Sequence, residues 1–308
     1  MRKLQLRLLF ATSFFFLFST AQTALDYSTL SIPLELKENA NAVIRLSETK
    51  VQIKAIDQLE VSKKIIVTVL NKAGNKHTNA HQHYNKDQKI LALQAVIYDK
   101  FGNKVKKYTK NKFEDVSAIS SGTMYSDARV KYLDINSNSY PYTLVFEVTY
   151  KNASTAFIPD WSPISSYNVS LVKSTYTLEN PLNIEIRKRE ENFSGYKIQK
   201  PKEDLSTYTY VLENQKALNY EKYSLKLEDF TPNLSYALNE FSLKGIKGSA
   251  KNWKEFGQWM YDKLIRDKNS LSEATIAKVN ALVAGCKTDR EKAKIIYEYV
   301  QNRTRYVG

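Results

Sequence analysis

Cysteine occurs once in 308 residues, as Cys286, and histidine only at positions 77, 81 and 83. One thiol cannot close an internal disulfide, so the fold must be held by its core. No histidine follows the thiol in sequence, and no GxSxG elbow or glycine-rich phosphate loop occurs. The apolar run near the N terminus, "LLFATSFFFLFS", is shorter than the roughly 20 residues that a membrane-spanning helix needs.

That run reads instead as a secretion signal. Arg2, Lys3 and Arg7 precede it, and "STAQTA" offers small residues for cleavage after Ala21 or Ala24. Residues 1–24 are therefore expected to be a signal peptide and the mature chain periplasmic or secreted, without a stable membrane anchor. With no cysteine at the cleavage point, a lipid attached there is excluded.

Aromatic residues are plentiful, with 21 tyrosines among them, and hydrophobic content reaches 43%. Tyrosine, together with many Thr, Val and Ile, fits a pleated, half-buried surface. The expected class is mainly β, an antiparallel sandwich or a large twisted sheet, followed by a short helical segment. The net charge of +14 raises the possibility of nucleic acid as a partner. The lysines, however, interleave with acids along the whole chain and form no arginine-rich block, so a solvated basic surface is expected. Such a surface favours weak adhesion to anionic envelope components but predicts no nucleic-acid partner.

From residue 42 to about 244 short strands alternate with turns. "AVIRLSETKVQIKAI" alternates apolar and polar side chains, and "KKIIVTVLN" is a β-branched run closed by the turn "NKAGNK". "KILALQAVIYDKFGNKVKKYTK" has the outline of a hairpin with a lysine-rich return strand suited to an exposed edge. "GTMYSDARVKYLDI", "YPYTLVFEVTYKN", "YNVSLVKSTYTLE", "LNIEIRKRE" and "TYTYVLEN" read as further strands, and "FIPDWSPISS" as a loop. Gly245 and Gly248 mark an expected linker. This divides the mature chain into a β domain at residues 25–245 and a helical segment at 246–308.

Three helices are expected in that segment. Asn252 with Glu255, Ser270 with Glu273, and Thr288 with Glu291 each have capping spacing. The first helix places Trp253, Phe256, Trp259 or Met260, and Leu264 on one side; the third places Ala293, Ile296, Tyr297 and Val300.

Candidate chemistry is thin. His81-x-His83 on a strand would point both rings to one face, as zinc ligands do, but no carboxylate or thiol completes the set at a familiar spacing. A wet loop edge is therefore the expected reading. Cys286 falls between two helices, away from a helix start, where a small connector residue is the plain reading. Trp161, beside Asp160 and two prolines, is either an exposed platform for sugar or peptide or a plug closing the end of a sandwich. Asp127 and Arg129 are read as a surface ion pair on one face of a strand. Five Asn-x-Ser/Thr sites, at Asn152, Asn168, Asn192, Asn233 and Asn302, matter only in a eukaryotic secretory route. No catalytic residue, cofactor or metal site is assigned.

The stretches "ENANAVIR", "TVLNKAGN", "YSDARVK", "YPYT", "NWKEFGQWMYDKL" and "TDREKAKIIYEYVQNRTRYVG" together resemble a secreted Gram-negative family, Domain of Unknown Function 3857. There an N-terminal β domain precedes a transglutaminase-like, papain-related domain. The resemblance implies that the helices open a thiol-enzyme core whose cysteine lies in a Gly-Asp-Cys context further on, followed by a histidine and an aspartate. This sequence contains no Gly-Asp-Cys. The chain is therefore expected to be a non-catalytic module, with a peptide, glycan or envelope protein as its partner. A fragment or truncated product of a larger protein is the expected origin, and a free-standing binder of peptide or glycan is the alternative.

Overall fold

The computed structural model describes residues 26–78, 80–118, 126–135, 137, 139–268 and 270–305. The expected signal peptide, part of "GTMYSDARVKYLDI" and the final "YVG" lie outside them.

The alternating stretches become strands. β1 (Ala42–Ala55) and β2 (Gln58–Val69) form a hairpin; β3 (His81–Tyr84) is short; β4 (Gln88–Tyr98) and β5 (Lys104–Thr109) make the lysine-rich hairpin. Then follow β6 (Glu114–Ser117), β7 (Arg129–Tyr132), β8 (Tyr142–Asn152), β9 (Val169–Glu179), β10 (Ile186–Glu191), β11 (Gln199–Glu203) and β12 (Thr207–Gln215). β13 (Asn233–Leu238), β14 (Glu240–Leu243) and β15 (Ile246–Ser249) complete the β part. Three helices close the chain: α1 (Trp253–Met260), α2 (Glu273–Val283) and α3 (Asp289–Arg303).

Eight strands form one sheet in the order β11-β12-β9-β1-β2-β8-β4-β5. Its neighbours pair antiparallel except β1 with β9, which run parallel, so the sheet is mixed. Periodicity assigns strands but not partners, and this pairing joins segments over a hundred residues apart.

Alternation along the strands gives the sheet two unlike faces. One carries Val51, Ile53, Leu59, Val61, Leu144, Phe146, Tyr176, Leu178, Tyr210 and Leu212, all buried in one core. The β10–β13 ribbon covers it with Leu234, Tyr236 and Leu238. Each such Leu or Val contributes about 1.5–3 kcal/mol by leaving water. The other face carries Lys50, Lys64, Gln94, Glu147 and Thr149. Its charges pair across strands, as in Lys64–Glu147 at 2.8 Å. At one end the chain from Tyr27 to Leu36 straps this polar face, Tyr27 stacking on Tyr98 at 4.1 Å and Ile32 and Leu36 packing on Val43.

Two expectations change at the domain junction. Gly245 and Gly248 are not a linker: Gly245, at φ +78°, turns the β14–β15 hairpin, a conformation that suits a residue without Cβ. Gly248 lies under Trp259, where an added Cβ would fall 2.6 Å from the indole. The caps of α1 and α3 form as expected, with Asn252 accepting from the Glu255 N–H and Thr288 from the Glu291 N–H. The second helix starts later than expected, capped by Ser272 accepting from the Thr275 N–H rather than by Ser270. Ser272 stands three residues before Thr275 as Ser270 does before Glu273, so spacing alone does not choose between them.

Candidate functional site

The residues singled out in the sequence do not converge. His81 and His83 do share a face of β3, their rings edge to face at 5.3 Å. Burial, the His83 ring and the Lys63 ammonium lower the His81 pKa, and a nearby lysine opposes a metal cation. No cluster of three His, Cys, Asp or Glu side chains able to hold a metal occurs among the described residues. Cys286 sits in the α2–α3 connection, its N–H donating to the Val283 carbonyl.

Trp161 is a plug. Only 4% of it is exposed, its Nε1–H donates to Ser174 Oγ at 2.8 Å, and its backbone pairs with Leu234. An exposed platform there is ruled out, because the indole fills the space between β9 and the covering ribbon. Arg129 does not pair with Asp127. It meets Asp115 of β6 at 2.9 Å, and Lys131 reaches the same carboxylate at 2.8 Å. Asp127 lies before β7 begins and accepts the Lys86 N–H instead. Desolvation raises the Asp115 pKa, but hydrogen bonds from Lys131, Tyr84 and Arg129 outweigh it and hold the group at about 2.

Two hollows remain. The larger, about 600 Å³, lies on the polar sheet face and is lined by residues such as Lys50, Lys64, Lys110 and Glu147. Its polar groups largely satisfy one another: Lys50 pairs with Glu179, Lys64 and Gln94 with Glu147, and Ser62 with Thr149. The second is a groove of about 350 Å³ between the β10–β13 ribbon, the loop after β8 and α1. Its charged groups Arg189 and Lys188 pair with Glu191 and Glu190, but its aromatic rim is open to solvent.

The groove is built from local rules. Alternation on β10 sends Arg187 and Arg189 toward one face, and the three-residue helical spacing of Trp253 and Phe256 stacks them along α1. Trp253 meets Phe256 edge to face at 5.9 Å, Phe256 meets Phe241 at 5.6 Å, and Phe241 meets Trp259 at 5.0 Å. This aromatic ladder descends from solvent to core. Its foot, Trp259, is 8% exposed and donates from Nε1 to the Lys247 carbonyl at 3.1 Å. Its head, Trp253, is 86% exposed, and Phe157 across the groove is 68% exposed.

Charge sits beside the ladder. The Arg187 guanidinium donates to the Ala250 and Lys251 carbonyls, which tie β10 to the start of α1. Among the described residues no carboxylate neutralises it. Tyr236, in the groove wall, is pushed far above its usual pKa by burial and stays protonated. No thiol, imidazole or carboxylate is among the residues that line the groove, whose polar part includes Arg187, Lys188 and Arg189. Sequence periodicity placed Trp253 on the apolar side of its helix but gave no sign that it would face water.

The family model described as "Domain of Unknown Function with solved-structure structure (DUF3857)" matches residues 58–219, more than half of the chain. A search of curated proteins found no match. Among solved structures, one described as a "putative protease" from Parabacteroides distasonis superposes with a TM-score of 0.62 at 16% identity. The match covers 85% of this chain and 50% of that one, so the chain spans half the length of that protein. At that identity the likeness establishes the fold. Legionella pneumophila aminopeptidase A, in complex with aspartic acid, aligns at 12% identity over 65% of this chain and 22% of that one, with a TM-score of 0.30. The chain belongs to the DUF3857 family.

Proposed function

We propose that this chain is a non-catalytic recognition module of a longer envelope protein that processes peptide bonds, and that the Trp253–Phe157 groove takes peptide segments carrying apolar side chains and a carboxylate. The observation that supports this most is the exposed aromatic pair beside the unneutralised Arg187. Exposed aromatics at a groove rim contribute large contact area at low entropic cost, and arginine recognises carboxylates with directed donors. The resemblance of the helical segment to the opening of a transglutaminase-like domain supports the link to amide-bond chemistry, as does the fold shared with a larger protein described as a "putative protease". The signal-like N terminus supports a periplasmic or secreted location.

The test is a fluorescence titration of the full chain with a panel of short peptides, with and without acidic residues, and with neutral oligosaccharides. Saturable quenching by acidic, aromatic-containing peptides that disappears in Trp253→Ala is the expected result. Saturation by oligosaccharides alone favours the free-standing glycan binder. Amide turnover abolished by Cys286→Ser overturns the non-catalytic reading.

A further inference from the structure

The β4–β5 hairpin carries a cationic edge whose tip is apolar. Lys100, Lys104, Lys106, Lys107, Lys110 and Lys112 fall within thirteen residues, and β5 is the terminal strand of the sheet. Lysines on an edge strand discourage stray pairing. Edge protection does not account for the side chains among them. Phe101 at the turn is 63% exposed and Val105 is 65% exposed. Leu30, at 81%, joins them, because the strap docks on this turn: the Thr29 N–H donates to the Lys100 carbonyl at 3.1 Å. Exposing three large apolar groups beside a row of lysines works against solubility and against edge protection alike.

Positive charge dominates around the tip, where the carboxylates are Asp99 of the turn and Asp26 of the strap. Lys100 lies over the Phe101 ring at 4.9 Å and Lys106 over Tyr108 at 4.7 Å. Lys100, Lys104, Lys106 and Lys112 make no ion pair among the described residues, while Lys110 donates to the Ile90 carbonyl. The acid in the turn, Asp99, is occupied. Its carboxylate accepts from the Phe101 and Asn103 N–H groups, each at 2.9 Å, and from the Asn103 amide. The turn is rigidly held: Gly102, at φ +88°, lies so close to Ser28 that a Cβ would fall 2.8 Å from its nitrogen. Arg45 pins the strap by donating to the Ser28 carbonyl at 3.1 Å and to Ser31 Oγ at 2.8 Å.

From this juxtaposition we infer that the β4–β5 turn and the adjoining strap form a peripheral docking surface for an anionic phospholipid bilayer. Phe101, Leu30 and Val105 enter the headgroup boundary, and the lysines meet the lipid phosphates. Apolar side chains ringed by lysine suit this interface because the rings bury area while the ammonium groups stay at the charged surface. A free polyanion would use the lysines and leave the apolar tip in water. The tip points to lipid.

The test uses the full chain with Cys286→Ser, labelled with an environment-sensitive fluorophore at Phe101→Cys or, as a control on the opposite sheet edge, at Leu205→Cys. Vesicles of phosphatidylcholine with and without phosphatidylglycerol are titrated in. The expected result is a blue shift at position 101 that requires phosphatidylglycerol, no shift at position 205, and loss of the shift at high salt. Lys104→Glu with Lys106→Glu should weaken binding roughly tenfold or more, since each lysine near an anionic surface contributes about 1 kcal/mol. No shift at 101, equal shifts at both positions, or equal shifts on neutral and anionic vesicles overturns the inference. So does unchanged binding by the charge-reversal pair. The labelled and charge-reversed positions are exposed, Cys286 is half-buried, and an unchanged melting temperature confirms that the variants fold.

Discussion

The β part and the two last helices of this chain obey the same local rules and reach opposite outcomes. Strands β1, β2, β8, β9 and β12 bury residue after residue between the sheet and its covering ribbon. Helices α2 and α3 are capped at their N termini, yet neither buries a single residue. Ile276, Tyr297 and Val300 are 46%, 66% and 48% exposed. Helix α1 stands between the two cases, docked by Trp259 and open at Trp253. Capping satisfies a helix's own backbone, whereas burial needs a second surface. Local sequence supplies the first, and only a partner element supplies the second.

The comparison is broken most sharply in the β core. Trp161→Ala removes a plug that touches β9 and the ribbon and leaves Ser174 without its donor. A loss of about 3–5 kcal/mol is expected, read from the urea midpoint of the tyrosine-dominated unfolding transition. Next comes the junction. Gly248→Val forces Trp259 from its seat, at a cost of about 1–3 kcal/mol, and the indole emission should shift red as α1 lifts.

The third test uses pH. The folded pKa of Asp115 is depressed to about 2, so its pairing with Arg129 and Lys131 stabilises the fold above the ordinary carboxylate pKa. That contribution fades as pH falls from about 4 toward 2. Because the group is partly solvated, Asp115→Asn should cost less than about 1 kcal/mol at neutral pH, and the variant's stability should respond less steeply to acid. An unchanged acid limb would show that the pairing contributes nothing. The smallest effect belongs to the tail. Thr288→Ala should speed hydrogen exchange in α3, consistent with a cap worth about 1 kcal/mol, and leave the urea midpoint of the β part unmoved. A common drop in both would mean that α3 and the β part unfold as one unit.

Legibility followed the range of the interaction. The strands of the hairpin at residues 89–110, the β-branched run of β2 and the caps at Asn252 and Thr288 could be read because each depends on residues a few positions apart. The cap of α2 moved from Ser270 to Ser272 because neighbouring serines satisfy the same rule. Trp161 admitted two readings, and its fate was decided by Ser174 and Leu234, which the loop sequence does not mention. Arg129 found Asp115 rather than Asp127 because β6 and β7 pair. The groove was the least legible feature: Phe157, Arg187 and Trp253 are separated by up to about a hundred positions and meet only through the ribbon and α1.

By itself the sequence determined the long strands of the main sheet and the three helices, though not β6, β11 or β13–β15, and also that no disulfide would hold them and that β5 would be a lysine-rich edge. Periodicity, capping and composition act within a single element, so they survive without knowledge of any other. Tertiary structure alone decided the parallel pairing of β1 with β9, the burial of Trp161, and the meeting of Phe101 with Leu30 at one end of the sheet. Those outcomes depend on which surfaces face each other across long stretches of chain, and that is settled by the burial of the whole core.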